Sequence, residues 1–150
     1  MKWIDLPPVW LIGFIALARG MAQAQAALWP GWSLLWARPF GVVLAIVGIL
    51  LMVAAAWQMW RHRTTIIPRE VPSAMVTGGV FSLSRNPIYL GDAFVLAGAA
   101  LYWGVIPALV LVPIFMWLIS WRFIEGEEER LHDAFGAEFD AYRRETRRWL

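Results

Sequence analysis

Apolar residues fill four stretches of the chain, Val9–Leu28, Phe40–Trp60, Ile88–Trp103 and Val105–Trp121, and charged residues are gathered mostly between and after them. Within each stretch the apolar positions are nearly continuous, with neither strand-like alternation nor the single stripe of a surface helix. That pattern predicts helices surrounded by lipid and by one another. A hydrocarbon core of about 30 Å calls for roughly 20 apolar residues per helix, so Ile88–Trp103 is short for a full crossing. Gly104 and Pro107 separate the last two stretches with hardly a loop, which predicts a tight helical hairpin. Gly41 and Gly48, like Gly91 and Gly98, recur at seven-residue spacing on one helical face, where a missing side chain lets neighbouring helices approach closely. The predicted architecture is all-α: a polytopic membrane protein of about four spans followed by a C-terminal amphipathic cytoplasmic helix, in one domain over 1–150.

Composition agrees. The chain is 60% hydrophobic and 16% charged with a mean hydropathy of +0.57, a balance that excludes an ordinary soluble domain. Eleven tryptophans cluster near the ends of the apolar runs, at Trp29, Trp32 and Trp36, at Trp57 and Trp60, and at Trp117 and Trp121, as interface-seeking indoles do. The absence of cysteine excludes disulfides, thiolate metal ligands and cysteine nucleophiles, and two histidines, His62 and His132, leave no basis for a metal site.

Charge orients the bundle. Arg61, Arg63, Arg69 and Arg85 lie between the second and third spans, and Arg122, Arg130, Arg143, Arg144, Arg147 and Arg148 follow the fourth. The other two connections hold only Arg38, so both termini are expected in the cytoplasm, with the inner membrane of a cell as the location. The basic residues are juxtamembrane and no nucleic-acid motif accompanies them, so the net charge of +2 implies a bilayer and no nucleic acid as partner. Lys2, the apolar run to Ala18 and the small residues Ala22–Ala27 resemble a cleavable leader, but Asp5 and Arg19 bracket the run unfavourably, and the segment is read as a retained span. Arg19 itself lies near the middle of that span, where a charge requires a partner. An anionic ligand group, the carboxylate of Asp92, or snorkelling to the surface would each serve.

Polar chemistry collects in two cytoplasmic segments. In the C-terminal one, Leu131, Phe135, Phe139, Tyr142 and Trp149 recur at helical spacing, predicting one amphipathic helix on the membrane surface or under the bundle. Glu125, Glu127, Glu128 and Glu129 stand at its start, where acidic residues complement a helix dipole. The other segment, "VTGGVFSLSRNPIYLG" from Val76 to Gly91, combines a glycine turn, an Arg-Asn-Pro run and Tyr89 at the start of an apolar helix.

Taken together across the hairpin, "VTGGVFSLSRNPIYLG" and "EEERLHDAFGAEFDAYRRETRRWL" resemble the isoprenylcysteine carboxyl methyltransferase and phospholipid methyltransferase family of integral membrane enzymes. The resemblance covers roughly the second half of the chain and implies a cofactor-binding core over 76–150, behind variable N-terminal spans over 9–60. It implies S-adenosylmethionine as cofactor, held by Arg85, Asn86, Pro87 and Tyr89 of the arginine-proline motif and closed over by the acidic pair Glu128 and Glu129. Asn86 stands where such proteins often carry histidine, and Gly79-Val80 replaces the commoner Gly-Pro. Physical chemistry points the same way. No length remains for a doubly wound sheet, so helix ends must hold the cofactor: backbone N–H groups at Gly78 and Gly79 for its carboxylate, and Glu128 or Glu129 for its ammonium or ribose hydroxyls.

Methyl transfer needs positioning more than proton chemistry. Arg85, Tyr89 and Glu128 are therefore the expected catalytic residues, Arg85 orienting a carboxylate or phosphate of a lipid or other lipophilic acceptor. Prenylated cysteine, a phospholipid amine and an isoprenoid acid all satisfy these requirements. The alternatives are an NADPH-dependent reductase of related fold and a non-catalytic membrane protein with a vestigial site.

Overall fold

The computed structural model describes residues 6–30, 34–64 and 74–150, and is helical throughout with no strand among them. Lys2, Asp5, Trp32 and Arg69 lie outside the described residues. Helix α1 spans Pro7–Leu28, α2 Ala37–Arg61 and α3 Pro87–Tyr102. A 3-10 turn at Ile106–Val110 leads into α4, Leu111–Ile119, which a π turn at Ser120–Ile124 joins without a break to α5, Glu125–Phe135. Helix α6, Ala137–Glu145, completes the order, and a short 3-10 turn at Gly79–Ser82 precedes α3.

Among the described residues, three helical stretches are long and apolar enough to cross a membrane: Pro7–Leu28, Ala37–Arg61 and Ile106–Phe135, of 22, 25 and 30 residues. Helix α3 has 16 residues, of which nine are buried. It is the shared core of the bundle rather than a lipid-facing span. Prolines open α1 and α3 in their first turn, where a missing N–H costs nothing. Gly104 ends α3 at φ +70, with its N–H donated to Leu101 O and the Val105 N–H to Ala100 O, the paired bonds of a Schellman stop. The chain then turns straight back into α4, so the expected hairpin is present.

The closest helix pair is α2 with α3, and its glycines explain why. A Cβ built on Gly48 would stand 2.6 Å from the Gly91 carbonyl oxygen, and one on Gly98 would stand 2.6 Å from the Gly41 carbonyl oxygen. The two seven-residue glycine repeats therefore interlock, backbone against backbone. On the other side of α3, Leu96, Ala100, Phe115 and Ile119 pack with Phe14 and Ala18 of α1, and Phe14 meets Phe115 edge-on at 5.3 Å. Large apolar side chains such as Ile12, Leu17, Val43, Ile46, Leu50 and Val53 are left exposed on α1 and α2, as a lipid-facing surface requires.

Two expectations need correction. The C-terminal amphipathic segment is not one helix: Gly136 adopts φ +51 and divides it into α5, continuous with the α4 span, and α6, which folds beneath the bundle with Phe139 and Tyr142 buried. Arg19 does not pair with Asp92 either. Its guanidinium lies 5.4 Å above the Trp103 ring, a cation–π contact at the C-terminal end of α3.

If the glycine interlock holds α2 to α3, Gly48→Val lowers stability by about 1–3 kcal/mol, the usual cost of overpacking. Gly13→Ala, at a site with nothing within 4 Å of the new methyl, leaves it unchanged or slightly raised. Thermal unfolding of both variants in one detergent checks this; equal midpoints contradict the interlock.

Candidate active site

The segment before α3 packs against the end of α2 and against α6. Gly79 sits at φ +59, and a Cβ there would collide with the Gln58 side chain, whose Oε1 accepts the Val80 N–H at 3.1 Å. Glycine is thus favoured by the backbone angle, and a methyl group there would displace the Gln58 amide that holds Val80. From α6, the Tyr142 hydroxyl donates to the Phe81 carbonyl, and burial pushes that hydroxyl up to about 12 despite the opposing Arg85 guanidinium. The turn is clamped from two sides.

Arg85 is the centre of the arrangement. Its side chain is 10% exposed; Nη2 donates to Glu128 Oε1 at 2.9 Å, and Nη1 reaches the carbonyls of Arg143 at 3.1 Å and Thr146 at 3.2 Å. Arg148 approaches Glu128 from the other side, Nη2 to Oε2 at 2.6 Å and Nε to Oε1 at 3.2 Å. One carboxylate therefore joins two guanidiniums, and its hydrogen bond to Arg148 holds that guanidinium above the usual arginine range. The main chain follows the same route: the Arg85 N–H donates to Arg147 O at 2.9 Å, and Ser84 Oγ and Asn86 Nδ2 each donate to Arg148 O at 3.1 Å. Asn86 acts here as an amide donor, a role that needs no titrating ring.

One turn into α3, the Tyr89 hydroxyl donates to Glu127 Oε1 at 2.7 Å, beside the Phe123 ring. Two charged donors remain unmatched: the Nε atoms of Arg85 and Arg130 are buried without a partner among the described residues. A buried donor without an acceptor costs about 1–3 kcal/mol, more when charged, so the cluster has spare capacity for an anionic ligand group.

Arg85, Asn86, Pro87, Tyr89 and Glu128 are thus brought together. Gly78 and Gly79 lie at the edge of the cluster, linked to it through Phe81 and Tyr142, and Glu129 is exposed. Glu127, Arg130, Tyr142 and Arg148 belong to the site and were not singled out from sequence. The signal for Glu127 was present in the acidic run, but its phase was not readable: the π turn at Ser120–Ile124 adds a residue per turn and rotates α5 relative to α4.

A family model described as phospholipid methyltransferase matches residues 36–138, which takes in α2, the arginine-proline segment, the hairpin and the acidic run. Neither the curated proteins nor the solved structures gave a match to the chain.

Removing the Glu128 carboxylate leaves two guanidiniums facing each other. Glu128→Ala should cost a few kcal/mol, below the roughly 3–5 kcal/mol of a fully buried pair because Arg148 is 34% exposed. Glu129→Ala should stay within about 0.5 kcal/mol of the parent. Denaturant unfolding in detergent measures both, and similar losses in the two variants would contradict the assignment of Glu128 as the ionic junction.

Proposed function

The chain belongs to the phospholipid methyltransferase family of membrane proteins, and on that premise we propose that it uses S-adenosylmethionine to methylate a lipophilic acceptor at the cytoplasmic face of the membrane. The observation that carries this reading is the polar cluster at the end of an apolar bundle. It contains two carboxylates and three guanidiniums, with the Nε atoms of Arg85 and Arg130 buried and unmatched. The amino-acid end of that cofactor has complementary charges. Its carboxylate fits the spare donors of Arg85 and Arg130, and its ammonium or ribose hydroxyls fit Glu127 and Glu128. When bound, the cofactor supplies a methyl group already activated by its sulfonium.

The chain's own residues then bind, orient and exclude water. Pro87 and Asn86 fix the start of α3, Tyr89 and Glu127 line its first turn, and Arg85 ties the α6 side of the site to Glu128. An acceptor reaching this level from the bilayer brings its polar head to the cluster while its tail stays in lipid. Gly78 and Gly79 would form the outer lip, and exposed Glu129 is left outside the assignment.

Calorimetry on the detergent-solubilised protein should show binding of S-adenosylhomocysteine. Arg85→Ala and Glu128→Gln should each weaken it by roughly 10- to 150-fold, the equivalent of about 1.5–3 kcal/mol for a charge-assisted hydrogen bond. Unchanged affinity in both folded variants would remove the cluster as the cofactor site, and binding of NADPH in its place would turn the reading towards a reductase.

The same reading places the arginine-rich side of an inner membrane, and both ends of the sequence, in the cytoplasm. In this cysteine-free chain, Pro30→Cys should react with an impermeant maleimide only from outside intact cells. His62→Cys and Glu145→Cys should react only after permeabilisation. Labelling of positions 30 and 62 from the same side would be incompatible with this topology.

A further inference from the structure

Both oxygens of the Glu128 carboxylate are engaged from within the chain. Oε1 accepts from Arg85 Nη2 at 2.9 Å and from Arg148 Nε at 3.2 Å, and Oε2 accepts from Arg148 Nη2 at 2.6 Å. With the Glu128 side chain only 12% exposed, a ligand cation reaches this acid by taking the place of one of its two guanidiniums. Arg85 is the harder to displace, because its side chain is 10% exposed and its Nη1 is also held by the carbonyls of Arg143 and Thr146. Arg148 is 34% exposed and belongs to residues 146–150, an irregular segment that follows α6. It is the partner free to move.

The same segment also occupies the donors directly before α3. The Arg148 carbonyl accepts from Ser84 Oγ and from Asn86 Nδ2, both at 3.1 Å, and the Arg147 carbonyl accepts from the Arg85 N–H at 2.9 Å. Arg147 and Arg148 therefore bring a cation to the acid and oxygens to the donors, the two kinds of group found together at the end of an amino acid. A displaced Arg148 would not be left bare either. Glu125 lies three residues before Glu128 on the same face of α5, its side chain is 57% exposed, and its Oε1 is 4.0 Å from Arg148 Nη1. One arginine thus stands between an inner acid and an outer one.

We propose that Arg147 and Arg148 form an internal latch on the site: without ligand the Arg148 guanidinium rests on Glu128, and the amino-acid end of a bound cofactor takes its place while Arg148 swings outward to Glu125. This rests on the methyltransferase reading above and adds a regulatory element to that site. The chain competes with its own ligand, so the apparent affinity is the intrinsic one reduced by the fraction of molecules in which the latch is open. The coupling is reciprocal. Ligand loosens residues 147–150, and anything that draws those residues away from Glu128 tightens the site.

Arg148→Ala leaves Glu128 paired with Arg85, so no buried charge is stranded. With full-length protein in non-ionic micelles, calorimetry should show S-adenosylhomocysteine binding at least about fivefold more tightly to this variant than to the parent. Arg148→Lys keeps the charge but loses the two-point grip on Glu128, and its affinity should fall between the two. Arg144→Ala removes an exposed arginine of α6 and should stay within about twofold of the parent. A nitroxide attached in Leu150→Cys, at an exposed position of a chain without other thiols, reports the segment itself, and its mobility should rise when S-adenosylhomocysteine is added. An affinity in Arg148→Ala equal to or below that of the parent would overturn the latch and leave the methyltransferase reading standing, as would a label slowed or left unaltered by ligand. Equal tightening in Arg144→Ala would assign the gain to net charge and overturn it too. Absence of binding in the parent and in Arg148→Ala alike would remove the methyltransferase reading and the latch together.

Discussion

A single carboxylate, that of Glu128, sits between the guanidiniums of Arg85 and Arg148, and the polar end of the molecule is assembled around it. Each partner comes from a different part of the chain: the segment before α3, the first turn of α5, and the stretch after α6. Helices of a membrane bundle gain little from hydrophobic burial against one another, because lipid is as apolar as they are. Charge-assisted hydrogen bonds at the membrane surface supply what the apolar spans cannot, a definite position for α5 and α6 beneath the bundle. The backbone carbonyls of Thr146, Arg147 and Arg148 extend the junction by accepting from Arg85, Ser84 and Asn86.

The spans depend on a different contact. Helices α2 and α3 meet through glycine carbonyls rather than side chains, which lets a helix of 16 residues lie deep enough to be shared by α1, α2 and α4. Its polar start is thereby drawn below the surface, and Tyr89 and Asp92 become buried groups on an otherwise apolar scaffold. The depth of the site and the shortness of α3 have the same origin.

Much of this was legible beforehand. Continuous apolar runs marked the spans, the glycine spacing marked the α2–α3 contact, and Gly104 with Pro107 marked the hairpin. The juxtaposition of Arg85 with Glu128 followed from family resemblance, and the structure brings those two within hydrogen-bond distance. The remainder was hidden for identifiable reasons. Periodicity carried Phe135 and Phe139 through Gly136 as one face, because a glycine is tolerated within a helical pattern unless its φ is positive, and the sign of φ is not visible in a sequence. The choice among Glu127, Glu128 and Glu129 required a helical phase that the π turn had altered. Arg148 was counted among juxtamembrane charges, since nothing local distinguishes an arginine that folds back by 20 residues from one that faces solvent.

The π turn has a wider mechanical meaning. Ser120–Ile124 lies within one uninterrupted rod whose outer part contacts lipid and whose inner part presents the acidic side chains. An extra residue in the turn offsets the two parts by about 100° about the common axis. The rod thus behaves as a shaft with a keyed coupling: the face that sets Phe115 and Ile119 against the core and the face that carries Glu127 and Glu128 are held at a fixed angle about one axis, so a rotation of the bilayer portion is carried to the carboxylates.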